Sequence, residues 1–488
     1  MPLPRLLFVN EKTRRVSPEC VIEDLKLDLI LPREVTDYLL LAPERETLVK
    51  RREAFRLLLS DKASAERLGK VLSAMEMTEE LYKAMTSALS EKTAAYVFVN
   101  LTVRLGELCE MTESLRSYGF LFGRFCDVFK AIYEKTGFAE ALSEARELKK
   151  ALAKASAFVM RTDGEATVIT AAADGGITDA LRACAAELDI PLTERPRTDI
   201  ILQRSVAEAL GTVCPEELSA CADLLGRYRS LVTGEIFDYI PELKFVYGIL
   251  RFTEKAAANG IPYAFPELCE NKKVALNAVY DITLLKKEGT VIVPNDVFFT
   301  EDEPFFYLTG ANGGGKTTYI RAVGGAMLLF LAGAPVFCEG GEASLLGGVY
   351  THFPRDERFE GTGRFLDEKK RVDEILACHG GNSVILLNET FSTTGEDKAI
   401  EQTDILARSL YRSGSFGLYI THQHDVTENE IPFLGVTVDE TDSNRRTYKI
   451  EKRRLPPRSF ARDILEKYAL DRASLEKRFG CPERKENR

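Results

Sequence analysis

The sequence has no Cys-x-x-Cys pair; its ten cysteines are scattered singly from Cys20 to Cys481. That spacing argues against a disulfide framework or a cysteine-built zinc site and suits reduced thiols. Nor is there an apolar run of membrane length. The longest, residues 326–337, is about half of the roughly 20 residues that a spanning helix needs. No secretory leader is expected, because the short apolar stretch Leu6-Leu7-Phe8-Val9 runs quickly into charges. Low-complexity tracts are lacking. The net charge of -10 argues against a uniformly basic nucleic-acid coat while leaving room for a local basic path. These absences point to a cytoplasmic globular protein with no membrane partner. At 488 residues the chain is too long for one hydrophobic core and is expected to divide into two or three domains.

What is present is sharpest at Gly310-Ala311-Asn312-Gly313-Gly314-Gly315-Lys316-Thr317, which fits G-x-x-x-x-G-K-[ST]. Phe305-Phe306-Tyr307-Leu308-Thr309 before it reads as a buried strand, and residues 319–331, rich in Ala, Leu and Met, read as a helix. Glycines there let consecutive backbone N–H groups face phosphate oxygens at the positive end of a helix. Lys316 is expected to reach the outer phosphates of a nucleotide, and the Thr317 hydroxyl to ligate Mg²⁺.

Two further runs extend this candidate site. Val384-Ile385-Leu386-Leu387-Asn388-Glu389 reads as an apolar strand ending in polar residues. Glu389 at its carboxyl end is placed to orient or deprotonate a water beside a γ-phosphate. A Mg²⁺-holding Asp is usual just before it, and Asn388 offers an amide oxygen without the charge. The alternatives are a structural strand or an ATP-binding switch that hydrolyses slowly. Leu418-Tyr419-Ile420-Thr421-His422-Gln423-His424 is a β run ending in two of the chain's four histidines. His422 is the candidate γ-phosphate sensor, and His424 is either a supporting or a surface residue.

The N-terminal half has a different texture. Apolar residues recur every three or four positions over residues 35–154, with Leu39, Leu40, Leu48, Phe55, Leu58 and Leu59 in one series, and again over 216–258. Between them, Phe158-Val159-Met160 and Thr167-Val168-Ile169-Thr170 flank Asp163-Gly164 and read as a hairpin. From Val291 onward, short β runs alternate with helices, the mark of a parallel sheet with crossovers. The expected architecture is multidomain. Residues 1–285 form all-α core or lever helices with a small β insertion near 157–172. Residues 286–455 form an α/β P-loop domain, and 456–488 a short helical tail.

At these residues the chain resembles the ATPase domain of the MutS mismatch-repair family. Val293-Pro294-Asn295-Asp296-Val297 and Thr309 to Thr317, continuing Thr318-Tyr319-Ile320-Arg321, carry the likeness; the family has Thr-Gly-Pro-Asn-Met-Gly-Gly-Lys-Ser-Thr-Tyr there. Phe365-Leu366-Asp367-Glu368 is similar to its Phe-x-x-Glu helix, and Ile420-Thr421-His422-Gln423-His424 to its Ala-Thr-His-Phe-His strand end. Arg458-Ser459-Phe460-Ala461 is similar to its Arg-Ser-Tyr-Gly segment, and Leu48, Arg51 and Arg52 to a core-domain helix. The likeness is specific over 290–470 and diffuse over 35–290.

The resemblance implies an ABC-type ATPase that binds ATP and Mg²⁺ through residues 310–318, with Asn295 beside the cofactor. It also implies a homodimer in which each nucleotide is closed by the neighbouring subunit, acting on DNA. Departures stand beside it. Gly363 and Arg364 replace the Ser-Thr pair that the family offers to the partner's γ-phosphate, with Thr362 one step earlier, and Thr390-Phe391-Ser392-Thr393-Thr394-Gly395 replaces its Leu-Gly-Arg-Gly-Thr loop. A mismatch-reading domain is not evident: the tripeptide Phe265-Pro266-Glu267 lies too close to the ATPase to be its wedge. These departures suggest a divergent branch. Lys149, Lys150, Lys154, Arg195, Arg197 and Arg204 flank the hairpin and are either a phosphate-contacting tip or solvated helix faces. The run Arg445-Arg446 to Lys452-Arg453-Arg454 reads as a solvated strand and turn. Two functions follow: a DNA-directed clamp driven by ATP, or a nucleotide-gated scaffold for a repair, regulatory or ribosomal partner without a direct DNA role.

Overall fold

A computed structural model describes residues 5–9, 14–155, 158–162, 167–171, 214–286, 291–310, 313–354, 364–378, 382–390, 396–421, 431–438 and 446–452. The chain forms two compact units, one of residues 1–13 and 43–255, the other of 14–42 and 256–488. The expected boundary at 285 falls inside the second of these units. Residues 256–285 belong with the second unit because they carry strands of its sheets, and 14–42 join it as well.

The segment 14–42 holds β1 (Arg14–Arg15), α1 (Cys20–Asp24), α2 (Arg33–Leu39) and β2 (Leu41–Ala42), and β1 pairs antiparallel with β2. The leucine series expected to be one helical tract is therefore split between units. Pro43 explains the break: it has no N–H, and the following Glu44 is extended (ψ 157°) as the N-cap of the next helix.

That helix, α3 (Arg45–Ser60), opens the first unit, followed by α4 (Ser64–Thr86), α5 (Glu91–Thr112), α6 (Phe120–Tyr133) and α7 (Phe138–Ala155). The strands β3 (Phe158–Thr162) and β4 (Thr167–Ala171) form the expected antiparallel pair, with Phe158 opposite Ala171 and Thr162 opposite Thr167. The Asp163-Gly164 turn itself lies outside the described residues. Helices α8 (Pro215–Tyr228) and α9 (Ile240–Ala258) complete the described part of this region. The centre is α5, which packs on α4, α6, α7 and α8. It is capped by the Ser90 hydroxyl, which accepts from Thr93 N at 3.2 Å. Residues 5–9 are docked into this unit. Leu6, Leu7 and Phe8 are buried, and the buried Glu242 accepts from Arg5 Nε at 2.8 Å and Leu7 N at 3.1 Å. Arg51, also buried, donates to Leu7 O at 2.7 Å and lies 4.3 Å over the Phe8 ring.

The second unit holds two mixed sheets and is α/β. Its strands are β5 (Glu267–Cys269), β6 (Val274–Val279), β7 (Asn295–Phe299), β8 (Phe305–Thr309), β9 (Gly340–Ser344), β10 (Val349–His352), β11 (Val384–Asn388), β12 (Phe416–Ile420), β13 (Phe433–Val438) and β14 (Arg446–Lys452). The larger sheet has the order β10-β11-β12-β8-β13-β14, with only β14 antiparallel to its neighbour; the smaller is β5-β9-β6-β7. Helices α10 (Lys316–Leu331), α11 (Arg364–Cys378) and α12 (Glu396–Arg412) flank the larger sheet. Its central strands are apolar on both faces, as a covered parallel sheet requires. Phe305, Tyr307, Ile385, Leu387 and Tyr419 pack with Val372 and Ile375 of α11 and Leu406 and Leu410 of α12. Leu386 faces α10, where a Cβ added to Gly324 would come within 2.9 Å of it and 2.7 Å of Leu25.

Segment 14–42 is bound to the edge strand by buried polar contacts. Ser17 Oγ accepts from Val349 N at 2.9 Å. The Asp24 carboxylate, 4% exposed, accepts from Thr351 Oγ1 at 2.7 Å and from Arg371 at 3.0 Å. Removing the Asp24 carboxylate takes the acceptor from the buried Thr351 hydroxyl and the ion-pair partner from the partly exposed Arg371. Asp24→Ala is therefore expected to lower the unit's stability by about 3 kcal/mol, readable as a fall in the urea midpoint at unchanged slope.

Candidate functional site

The turn after β8 is built on positive φ. Gly310 has φ 134°, Gly313 φ 69° and Gly315 φ 97°, a path that side chains with Cβ resist. Space is also limiting: a Cβ on Gly310 would sit 3.0 Å from Val436 Cβ. Gly315 is the N-cap of α10, makes no side-chain cap, and no acidic residue occupies the first turn. The helix therefore presents its positive end and uncapped N–H groups, which favours an anion there. Lys316 is only 5% exposed and folds back over the turn, its Nζ donating to Gly310 O at 2.7 Å. Thr317 and Thr318 are half-buried in the same first turn. Tyr319 secures the helix by donating to Asp296 O at 2.9 Å.

Strand register carries the second group to this turn. Leu308 of β8 pairs with Ile420 of β12, and Ile420 with Asn388 of β11. The next residues in each strand, Thr309, Thr421 and Glu389, therefore stand side by side at one carboxyl edge, the usual ligand edge of a parallel sheet. Glu389 N donates to Ile420 O at 3.0 Å. Glu389 is left-handed, φ 51°, a conformation that costs a non-glycine residue about 1–3 kcal/mol and clusters at functional positions. Asn388 Oδ1 is buried and accepts no hydrogen bond among the described residues. A buried amide oxygen in that state calls for a donor or a cation.

Asn295, expected beside the cofactor, has its amide engaged elsewhere. Oδ1 accepts from Ile450 N at 2.8 Å and Nδ2 donates to Tyr448 O at 3.0 Å. Its observed task is to fasten β14 across to β7. Ala311, Asn312, Thr362, Gly363, His422 and His424 lie outside the described residues, as do Arg195, Arg197 and Arg204. Among the described residues, no group of three or more His, Cys, Asp or Glu is assembled that could hold a metal ion by itself, and no helix is long and apolar enough to cross a membrane.

One residue that the sequence reading passed over joins the site. Tyr448 of β14, 46% exposed and with φ 57°, has ring atom Cδ1 3.4 Å from where a Cβ on Gly315 would lie. An aromatic among the charges of residues 445–454 was the available signal. Lys449 and Lys452 in the same strand are tied to Pro294 O and to Glu303, as expected of a charged, solvated edge.

The MutS domain V family model matches residues 306–454, the stretch from β8 to just past β14. DNA mismatch repair protein MutS 1 of Haloarcula marismortui is 30% identical over 146 residues, 29% of this chain and 16% of that protein. DNA mismatch repair protein MutS of Fervidobacterium nodosum is 26% identical over 225 residues, 45% of this chain and 26% of its own length. DNA mismatch repair protein MSH2 of Saccharomyces cerevisiae is 27% identical over 187 residues, 37% of this chain and 19% of its own. The chain thus spans between 16% and 26% of the length of these relatives. The match begins inside the strand that leads to the glycine turn and takes in Lys316, Asn388 and Glu389. The chain thus matches MutS domain V over residues 306–454 and is similar, over part of its length, to these DNA mismatch repair proteins.

Proposed function

We propose that the chain is a MutS-like P-loop ATPase of ABC type, whose nucleotide cycle drives a homodimeric clamp on DNA. The observation that carries this reading is the juxtaposition across β12 of the uncapped, glycine-built start of α10 and the carboxyl end of β11 bearing Glu389. The donor set fits ATP with Mg²⁺. The backbone after Gly310 and the Lys316 ammonium suit phosphate oxygens. The Thr317 hydroxyl and the orphaned Asn388 Oδ1 suit a hydrated Mg²⁺. Bound ATP supplies the phosphoanhydride whose hydrolysis powers the cycle. Glu389 takes the proton from the attacking water, His422 senses the γ-phosphate, and the Tyr448 ring offers a flat apolar face to the base. Contact with DNA is through phosphates, as the names of the relatives and the helical unit with its paired strands suggest; a repair or regulatory protein is a further partner.

Asn388 favours one second reading. A neutral amide in place of a carboxylate weakens metal binding, which suits a nucleotide-gated scaffold with slow turnover and no DNA role.

Steady-state ATP hydrolysis with duplex, mismatched and branched DNA, at two salt concentrations, separates the two. The clamp reading expects turnover raised by one DNA form and less so at high salt, because phosphate contacts release counterions. Tight ATP binding with negligible turnover, indifferent to every DNA, would leave the scaffold. Lys316→Ala is expected to weaken ATP binding about 10- to 100-fold, the worth of a lost charge-assisted hydrogen bond.

A further inference from the structure

We propose that His352 and Tyr419 are positioning residues that act on Glu389 by clamping its neighbour Thr390 from two sides. The inference rests on Glu389 being the water-activating group. Thr390 is 3% exposed, and both its polar handles are engaged by residues from other strands. Its hydroxyl lies 3.1 Å from His352 Nδ1 at the end of β10. Its carbonyl accepts from the Tyr419 hydroxyl of β12 at 3.1 Å. Tyr419 has one proton to give, so Thr403 of α12, 3.1 Å away, is the donor in their pair and aims the phenol at Thr390. His352, Tyr419 and Thr403 are each no more than 1% exposed.

The clamp answers a question posed by the backbone. A left-handed glutamate persists only where its surroundings over-determine it. On one side Glu389 N is held by Ile420 O; on the other, the next residue is pinned by hydroxyl, carbonyl and burial together. Burial pushes the Tyr419 phenol well above its ordinary range, so it remains a neutral donor whenever the enzyme is folded. A carboxylate that must sit within hydrogen-bond reach of one water depends on such fixing, since a misplacement of about 1 Å can cost on the order of 100-fold in rate.

The test compares Thr390→Val, Thr390→Ser, Tyr419→Phe and His352→Leu with Glu389→Gln. Turnover is measured together with the dissociation constant of a fluorescent ATP analogue and the melting temperature. The valine and phenylalanine variants are nearly isosteric, so each reports even if the histidine variant folds poorly. The clamp predicts kcat lowered about 10- to 100-fold in Thr390→Val and Tyr419→Phe, with nucleotide affinity within about twofold of wild type. It also predicts that Thr390→Ser, which restores the hydroxyl, recovers most of the turnover lost in Thr390→Val. If Glu389→Gln is inactive while Thr390→Val and Tyr419→Phe turn over at the full rate, the clamp is refuted and the role of Glu389 stands. If Glu389→Gln itself keeps its turnover, the role assigned to Glu389 fails, and the clamp goes with it.

Discussion

Replacing Glu389 with alanine is expected to lower ATP turnover by about 10²–10⁴-fold, the usual worth of a positioned general base, while ATP binding stays within a few-fold of wild type. The split follows from where the groups sit. In the proposed site, phosphate contacts would come from the glycine turn, Lys316 and the first turn of α10; Glu389 stands across β12 on a different strand and would meet only the water side. Single-turnover hydrolysis alongside equilibrium binding measures both quantities. Turnover surviving at the wild-type rate would mean that the left-handed Glu389 is a feature of the sheet edge and not of the chemistry. Loss of binding together with turnover would instead mean that the substitution had collapsed the edge itself.

An equally large effect, on folding, is expected from Gly417→Ala. Gly417 lies in β12 between β11 and β8, paired with Ile385 on one side and Phe305 on the other. A Cβ there would fall 2.2 Å from Ile385 O and 2.6 Å from the Phe305 ring. The ring can turn, but the carbonyl belongs to the ladder and can retreat only by parting β11 from β12 at the centre of the sheet. A cost of about 4 kcal/mol or more is expected, enough to remove much of a domain's stability. Denaturant unfolding of the purified variant, or its failure to accumulate as folded protein, checks this. A variant within about 1 kcal/mol of wild type would show that the strands have room that the geometry denies them.

Part of this was legible in the residues. β8 and β11 fall where apolar runs of four end in a turn or a polar pair, and α10 follows where Lys316 ends the glycines. The paired strands β3 and β4 were also readable, from alternation around Asp163-Gly164. Other parts were not, for physical reasons. Leu39 and Leu48 keep one apolar rhythm although they serve different units, because periodicity reports that a face is buried and not what buries it. The smaller sheet begins with the three residues Glu267–Cys269, too short to show a period. Asn295 was matched by motif, yet its amide fastens β14. His352 in a buried strand looks like a core residue until Thr390 is seen beside it, since proximity across a parallel sheet leaves no trace in linear spacing.

The interleaving of the two units has a consequence for synthesis. The chain passes from one unit to the other at residues 13–14, 42–43 and 255–256, so the segment 14–42 leaves the ribosome long before the strand it fastens to. Val349 and Thr351 emerge roughly 300 residues later, which at ~5–20 residues per second is about 15–60 s. The helical unit can complete itself meanwhile, since residues 5–9 need nothing beyond its own helices. Val21, Leu25, Leu27, Leu31, Val35 and Leu39, all buried in the finished protein, must wait through that interval without their sheet. The nascent chain thus carries an apolar stretch that is a natural target for a holding chaperone.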